Sequence, residues 1–204
     1  MNTKNHIQSI SEKKITKVIN DRTQKHLQAI NDFEINNEKN IIKSVELINS
    51  CFLSGGTVFS VGNGGSAADS MHFASELSGN YGNYKEPLPA ISLASDSSTL
   101  TCIGNDFDFS EIFSRQIEAH FKVNDLLLAI TTSGRSENII KAIEKAKAVG
   151  GKVILLSSDK VFDNKEISFL ADIIISCDGI DTPSIQEFHK VIIHILVESI
   201  FELR

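Results

Sequence analysis

The sequence predicts an α/β chain: a doubly wound, mainly parallel sheet preceded by helices. Three observations carry this. Short apolar, β-rich runs alternate with helix-forming runs five times from residue 57 onward. The run Leu126 to Ile130 is apolar without interruption, as a strand buried on both faces requires. Three strand runs end in glycine or hydroxyl turns, at Gly62–Ser66, Ser95–Ser98 and Thr131–Ser136. Sheets of this class bind their ligands beyond the carboxyl ends of the strands, where these turns fall.

Residues 1–55 carry no strand pattern and read as an N-terminal helical segment ahead of residues 56–204, the whole forming one structural domain. Ile15, Val18 and Ile19, then Ile41, Ile42, Val45 and Ile48, recur at helical spacing. The pair Asn36-Asn37 predicts two helices joined by a turn. Their apolar stripe either caps the core or packs against another subunit. Thr57 to Val61 is the first strand, followed by a helix from Ser66 to about Ser78 and a loop from Gly79 to Pro89. Ala90 to Ala94 is the second strand. A helix from Thr99 is expected to be interrupted at Gly104-Asn105-Asp106, and Ser110 to Phe121 to be helical. Leu126 to Ile130 is the third strand, with a helix from Ile139 to Val149 that Gly150-Gly151 ends at the C′ position. Val153 to Leu156 and Ile173 to Ser176 are the last strands. Pro183 opens a final helix reaching about Leu203.

Composition narrows the function classes. A chain of 204 residues suits one domain with a full core. Its net charge of −6 argues against a broad nucleic-acid surface. The three cysteines, Cys51, Cys102 and Cys177, are far apart and form no CxxC, so neither a disulfide framework nor a thiolate zinc site is expected. Cys102 and Cys177 read as buried small hydrophobes. A polar, lysine-rich start and the lack of an apolar run of ~20 residues lead to a cytoplasmic expectation, with no membrane partner.

The richest stretch is Val58 to Glu76. A strand breaks at Gly62, Gly64 and Gly65 and resumes at Ser66 as a helix, a layout that leaves backbone N–H groups free for an anion. Asn63 and Ser66 add polar contacts. His72 and Glu76 follow at i, i+4, on one helix face, where a surface ion pair is the plain alternative. The loop Thr131 to Ser136 holds four hydroxyls, Thr131, Thr132, Ser133 and Ser136, where one would suffice to cap a helix. That surplus favours a phosphate, and the missing Gly-x-x-x-x-Gly-Lys disfavours a nucleotide. Arg135 either adds charge or is solvated.

These residues resemble the SIS (sugar isomerase) domain, and within it the sedoheptulose-7-phosphate isomerases, or phosphoheptose isomerases. The likeness rests on Gly62-Asn-Gly-Gly-Ser66 with Met71-His-Phe-Ala-Ser-Glu76, Gly104-Asn-Asp106, Thr132-Ser-Gly-Arg-Ser136, and Ile185-Gln-Glu-Phe-His189 through His194. It covers roughly residues 10 to 204. The resemblance implies a flavodoxin-like, three-layer sheet, a homotetramer and active sites at subunit interfaces. It implies a phosphorylated heptose substrate, sedoheptulose 7-phosphate or D-glycero-D-manno-heptose 7-phosphate, for bacterial surface polysaccharide. By position, Asn63, Gly64, Gly65, Ser66, Glu76, Asn105, Asp106, Thr131, Thr132, Ser133, Ser136 and Gln186 are similar to substrate contacts. His72, Glu76, Gln186 and His194 are similar to ligands of one zinc ion, and Glu76 and His194 to the catalytic pair. Spacing alone does not yield the zinc set, since Gln186 and His194 stand ~12 Å apart along one helix. His189 is the rival ligand, or a structural histidine.

Two departures bear on the substrate. Asn80 and Ser184 stand where the family's pattern favours arginine. They leave open an isomerase of a different phosphosugar; apart from them, the rival reading is a non-catalytic sugar-phosphate regulator. A regulator would lack the carboxylate–imidazole pair that Glu76 and His194 supply.

Overall fold

The computed structural model of the chain describes residues 3–83, 86–177 and 181–204, with side chains except at 3–10, 29–36 and 166. A long helix, α1 (Thr3–Leu53), leads into strand β1 (Val58–Gly62) and helix α2 (Gly65–Ser78). Then come β2 (Ala90–Ser92), α3 (Ser97–Asp106), α4 (Ser114–His120), β3 (Leu126–Ile130), α5 (Glu137–Val149) and β4 (Lys152–Ser158). The chain closes with α6 (Lys165–Leu170), β5 (Ile173–Cys177) and α7 (Thr182–Glu202). All four strand pairings are parallel, in the order β2-β1-β3-β4-β5. This is the flavodoxin-like order, with its switch point between β1 and β3.

Alternation along the buried strands builds two cores. Leu126, Leu128 and Ile130 of β3 face one side with Ile154 and Leu156 of β4, under α2, α7 and the C-terminal half of α1. Leu127, Ala129, Val153 and Leu155 face the other, under α3, α4 and α5. Strands buried on both faces in this way lose the polar–apolar alternation of a one-sided sheet. Gly150 ends α5 in the left-handed region, φ 92°, with its N–H bonded back to the last turn.

The structure corrects four expectations. No turn divides the N-terminal segment at Asn36-Asn37: α1 is continuous. Asn37 and Asn40 lie one turn apart, and their amides donate to the Ser176 and Ile174 carbonyls of the edge strand β5. Asparagine there satisfies a sheet edge rather than breaking a helix. Within α1, Ile41, Val45 and Ile48 are buried in the core while Ile15, Val18 and Ile19 are exposed. Gly104-Asn105-Asp106 does not interrupt α3 but forms its last turn, and α3 starts earlier because Asp96 caps it. Ser110 to Phe121 is not one helix: a short 3₁₀ turn capped by Asp108 precedes α4. Cys102 is exposed, with its thiol donating to Asp106, whereas Cys177 is buried as expected. Among the described residues no helix is long and apolar enough to cross a membrane.

Candidate active site

The carboxyl ends of β1 and β3 lie side by side, so the glycine turn and the hydroxyl loop meet. Between them is a cavity of about 300 Å³ lined by Asn63, Gly64, Gly65, Ser66, the loop residues Thr131, Thr132, Ser133 and Ser136, and Thr182 and Gln186 of α7. Gly64 precedes α2 at φ 53°, a conformation side chains disfavour. A Cβ on Gly65 would collide with the side-chain amide of Gln186, which would have to swing away from the α2 N-terminus. Asn63 and Asn138 exchange two amide hydrogen bonds of 2.8 Å, tying the glycine turn to the first turn of α5.

The hydroxyls are disposed to donate. Thr131 Oγ1 accepts from the Gly134 N–H and Ser133 Oγ from the Arg135 N–H. A hydroxyl that accepts locally keeps its own proton for a ligand. Ser136 stands at the N-cap of α5 yet makes no capping bond. The loop is braced from behind, with Ser158 donating to the Thr132 carbonyl and Asn164 to the Gly134 carbonyl. Arg135 is exposed.

A second group lies farther along α2 and α7. His72 Nε2 is 2.9 Å from Glu76 Oε1, and His194 Nε2 is 3.7 Å from the same oxygen. The two imidazoles meet edge to face at 5.2 Å. Glu76 is largely buried, and its other oxygen, Oε2, has no hydrogen-bond partner. Two imidazoles and a carboxylate with donor atoms within 4.8 Å of one another suit a divalent ion such as zinc in ligand type and number. The orphaned Oε2 is the buried polar atom that an ion or a substrate proton would satisfy.

Of the residues singled out from the sequence, the structure gathers Asn63, Gly64, Gly65, Ser66, Thr131, Thr132, Ser133, Ser136 and Gln186 around the cavity. It draws His72, Glu76 and His194 together. Gln186 lies with the cavity, against Gly65, about two turns of α7 before His194 and so apart from the three-residue group. Asn105 and Asp106 do not line the cavity; they are exposed at the end of α3 and bonded to each other at 2.7 Å. His189 is fully buried, bonded to the Ser157 carbonyl, and burial holds its pKa down at about 4. It is a neutral core histidine rather than a ligand. Sequence reading missed Asn138 and Thr182. Asn138 and Thr182 adjoin recognised motifs, but nothing local signals their partners. Ser184 is buried where it bonds Asp181 and accepts from Arg22 of α1.

Comparison with known proteins agrees with this geometry. The SIS domain profile matches residues 23–158. A phosphoheptose isomerase of Helicobacter pylori (strain Shi470) is 43% identical over 157 residues, covering 77% of this chain and 80% of that protein. One from Rhodospirillum rubrum is 40% identical over 156 residues, covering 76% and 81%. The solved phosphoheptose isomerase of Francisella tularensis superposes with a TM-score of 0.86 at 34% identity, over 92% of this chain and 98% of that one. That of Neisseria gonorrhoeae gives 0.85 at 31% identity, over 91% and 98%. The chain therefore belongs to the SIS-domain family and, within it, to the phosphoheptose isomerases.

Proposed function

We propose that the protein interconverts D-sedoheptulose 7-phosphate and D-glycero-D-manno-heptose 7-phosphate, supplying heptose for bacterial surface polysaccharide. One observation supports this most: a buried carboxylate with a free oxygen sits between two imidazoles, on the same helix pair that closes an anion cavity. The cavity takes the phosphate, with the hydroxyls of Thr131, Thr132, Ser133 and Ser136 and the N–H groups of the glycine turn as donors. That binding energy, remote from the reacting carbons, orients C1 and C2 at Glu76.

The isomerisation moves one proton between carbons and another between oxygens. The Glu76 carboxylate takes a proton from C1 of the ketose. The C–H electrons form the C1–C2 double bond, and O2 takes a proton from the His194 imidazolium, leaving a cis-enediol. Neutral His194 then removes the O1 proton, C1 becomes a carbonyl, and Glu76 returns its proton to C2. Both groups finish as they began. His72, 2.9 Å from Glu76 Oε1, fixes the orientation of that carboxylate. His72, Glu76 and His194 would hold a zinc ion in a pose that alternates with the proton-transferring one, and when bound it would polarise the substrate carbonyl as a Lewis acid.

The assembly we propose is a homotetramer in the cytoplasm, with the N-terminal segment 1–55 at its interfaces. The exposed Ile15, Val18, Ile19 and Leu27 on α1 support this. Asn105 and Asp106, away from the cavity of their own chain, then serve a site shared between subunits. Light scattering should give four chains' mass; a stable monomer at micromolar concentration removes that arrangement. The function is tested by incubating the purified protein with sedoheptulose 7-phosphate and following aldose formation by NMR. Absence of aldose with turnover of another phosphosugar favours the alternative isomerase, and binding without proton exchange favours a regulator.

A further inference from the structure

The seam between α2 and α7 has a middle rung that the mechanism above does not use. Helix α7 sets Gln186, Lys190 and His194 at i, i+4 and i+8, a single stripe rising ~12 Å. Each meets α2: Gln186 against Gly65, Lys190 against Asp69, His194 against Glu76. The anion cavity lies at the first rung and the carboxylate–imidazole group at the third. An extended seven-carbon chain, phosphate in the cavity and C1 and C2 at Glu76, passes over Lys190.

Asp69 is 1% exposed, and neither carboxylate oxygen has a hydrogen-bond partner. The Lys190 ammonium is 3.7 Å from Asp69 Oδ1, beyond hydrogen-bond length, while the lysine side chain remains 56% exposed. A lysine that served only to neutralise Asp69 would close to ~2.8 Å and spend a donor there. Here the carboxylate holds the ammonium at the seam, and the exposed head keeps N–H donors available for a ligand.

We propose that Lys190 is a substrate-contacting residue, held in place by Asp69, whose ammonium donates to the mid-chain hydroxyls of an extended polyhydroxy phosphate. This rests on the isomerase reading of the site and names what recognises the substrate between its two ends. It makes the site favour long phosphosugars over short phosphate esters.

The test is Lys190→Met, which keeps the apolar stem and removes the donors. kcat and KM are measured with sedoheptulose 7-phosphate, together with inhibition by inorganic phosphate and by glycerol 3-phosphate, which occupies the cavity without reaching the middle rung. KM should rise about tenfold or more, the scale of a lost charged hydrogen bond. kcat should stay within a few-fold, and both short anions should inhibit as before. Lys190→Arg should recover most of the loss, and folded Asp69→Asn should raise KM in the same direction. An unchanged KM in Lys190→Met, or an equal loss of affinity for the short anions, overturns the proposal. Should the wild type not turn over the heptulose phosphate, the reaction reading fails. The same comparison, made with dissociation constants of heptulose phosphate and glycerol 3-phosphate, then still decides the role of Lys190.

Discussion

Ser136→Ala separates the two jobs a serine at a helix start can do. A serine that caps its helix contributes ~1 kcal/mol of stability, which alanine loses. Ser136 occupies the N-cap of α5 without making that bond, so its removal should leave the melting temperature unchanged. A hydroxyl that donates to a phosphate dianion contributes ~1.5–3 kcal/mol to binding. At ~1.4 kcal/mol per tenfold, affinity should fall roughly ten- to 150-fold. Calorimetric titration with sedoheptulose 7-phosphate and a thermal melt on the same sample give both numbers. Asp96→Ala is the control, because Asp96 does cap α3, accepting from the Ser98 and Thr99 N–H groups; it should lose stability and keep affinity. If Ser136→Ala melts early and binds normally, the hydroxyl loop is a helix-capping cluster and the phosphate lies elsewhere.

Three further outcomes are expected. Glu76→Gln keeps size but removes the base, so turnover should fall at least ~10²-fold; in heavy water the bound sugar should no longer exchange its C1 or C2 proton, and wild-type exchange by a metal-replete mutant would remove Glu76 from the mechanism. Burial lowers His189 from 6.5 to about 4, so the folded state disfavours its charged form. Stability is therefore full above pH 6.5 and is lost as pH falls towards 4, by roughly 2–3 kcal/mol at pH 4.5. Urea titrations should show His189→Leu losing that much less between pH 7 and 4.5, and parallel slopes would refute the assignment. Arg22 makes a two-pronged contact with Asp181, the cap of α7, at 3.0 and 3.1 Å, and holds that carboxyl well below its ordinary pKa. Arg22→Ala should speed amide hydrogen exchange over residues 182–186, and exchange rates identical to wild type would show that α1 does not steady the end of α7.

What the residues determine locally was legible without a structure. The uninterrupted apolar run of β3, the 3.6-residue rhythm of α5 ending at Gly150, and the turns after β1 and β3 each depend on neighbours a few positions away. Parallel strands joined by helices then force those turns to one edge of the sheet, so the part of the cavity's lining that comes from the glycine turn and the hydroxyl loop followed from local pattern plus connectivity. Local cues misled where a residue's partner was distant. Asn36-Asn37 reads as a turn until the Ser176 carbonyl claims the Asn37 amide, and Cys102 reads as core until α3 is seen to face it outward. The separation of Gln186 from His194 was an obstacle in the sequence; the structure makes it the span between the cavity and the His72–Glu76–His194 group. Strand order sets which helices adjoin. Only that non-local packing brings Lys190 to Asp69 and Arg22 to Asp181, because burying both faces of the sheet leaves α1, α2 and α7 a single shared side, while the pairing of β1 with β3 is what brings Asn63 to Asn138.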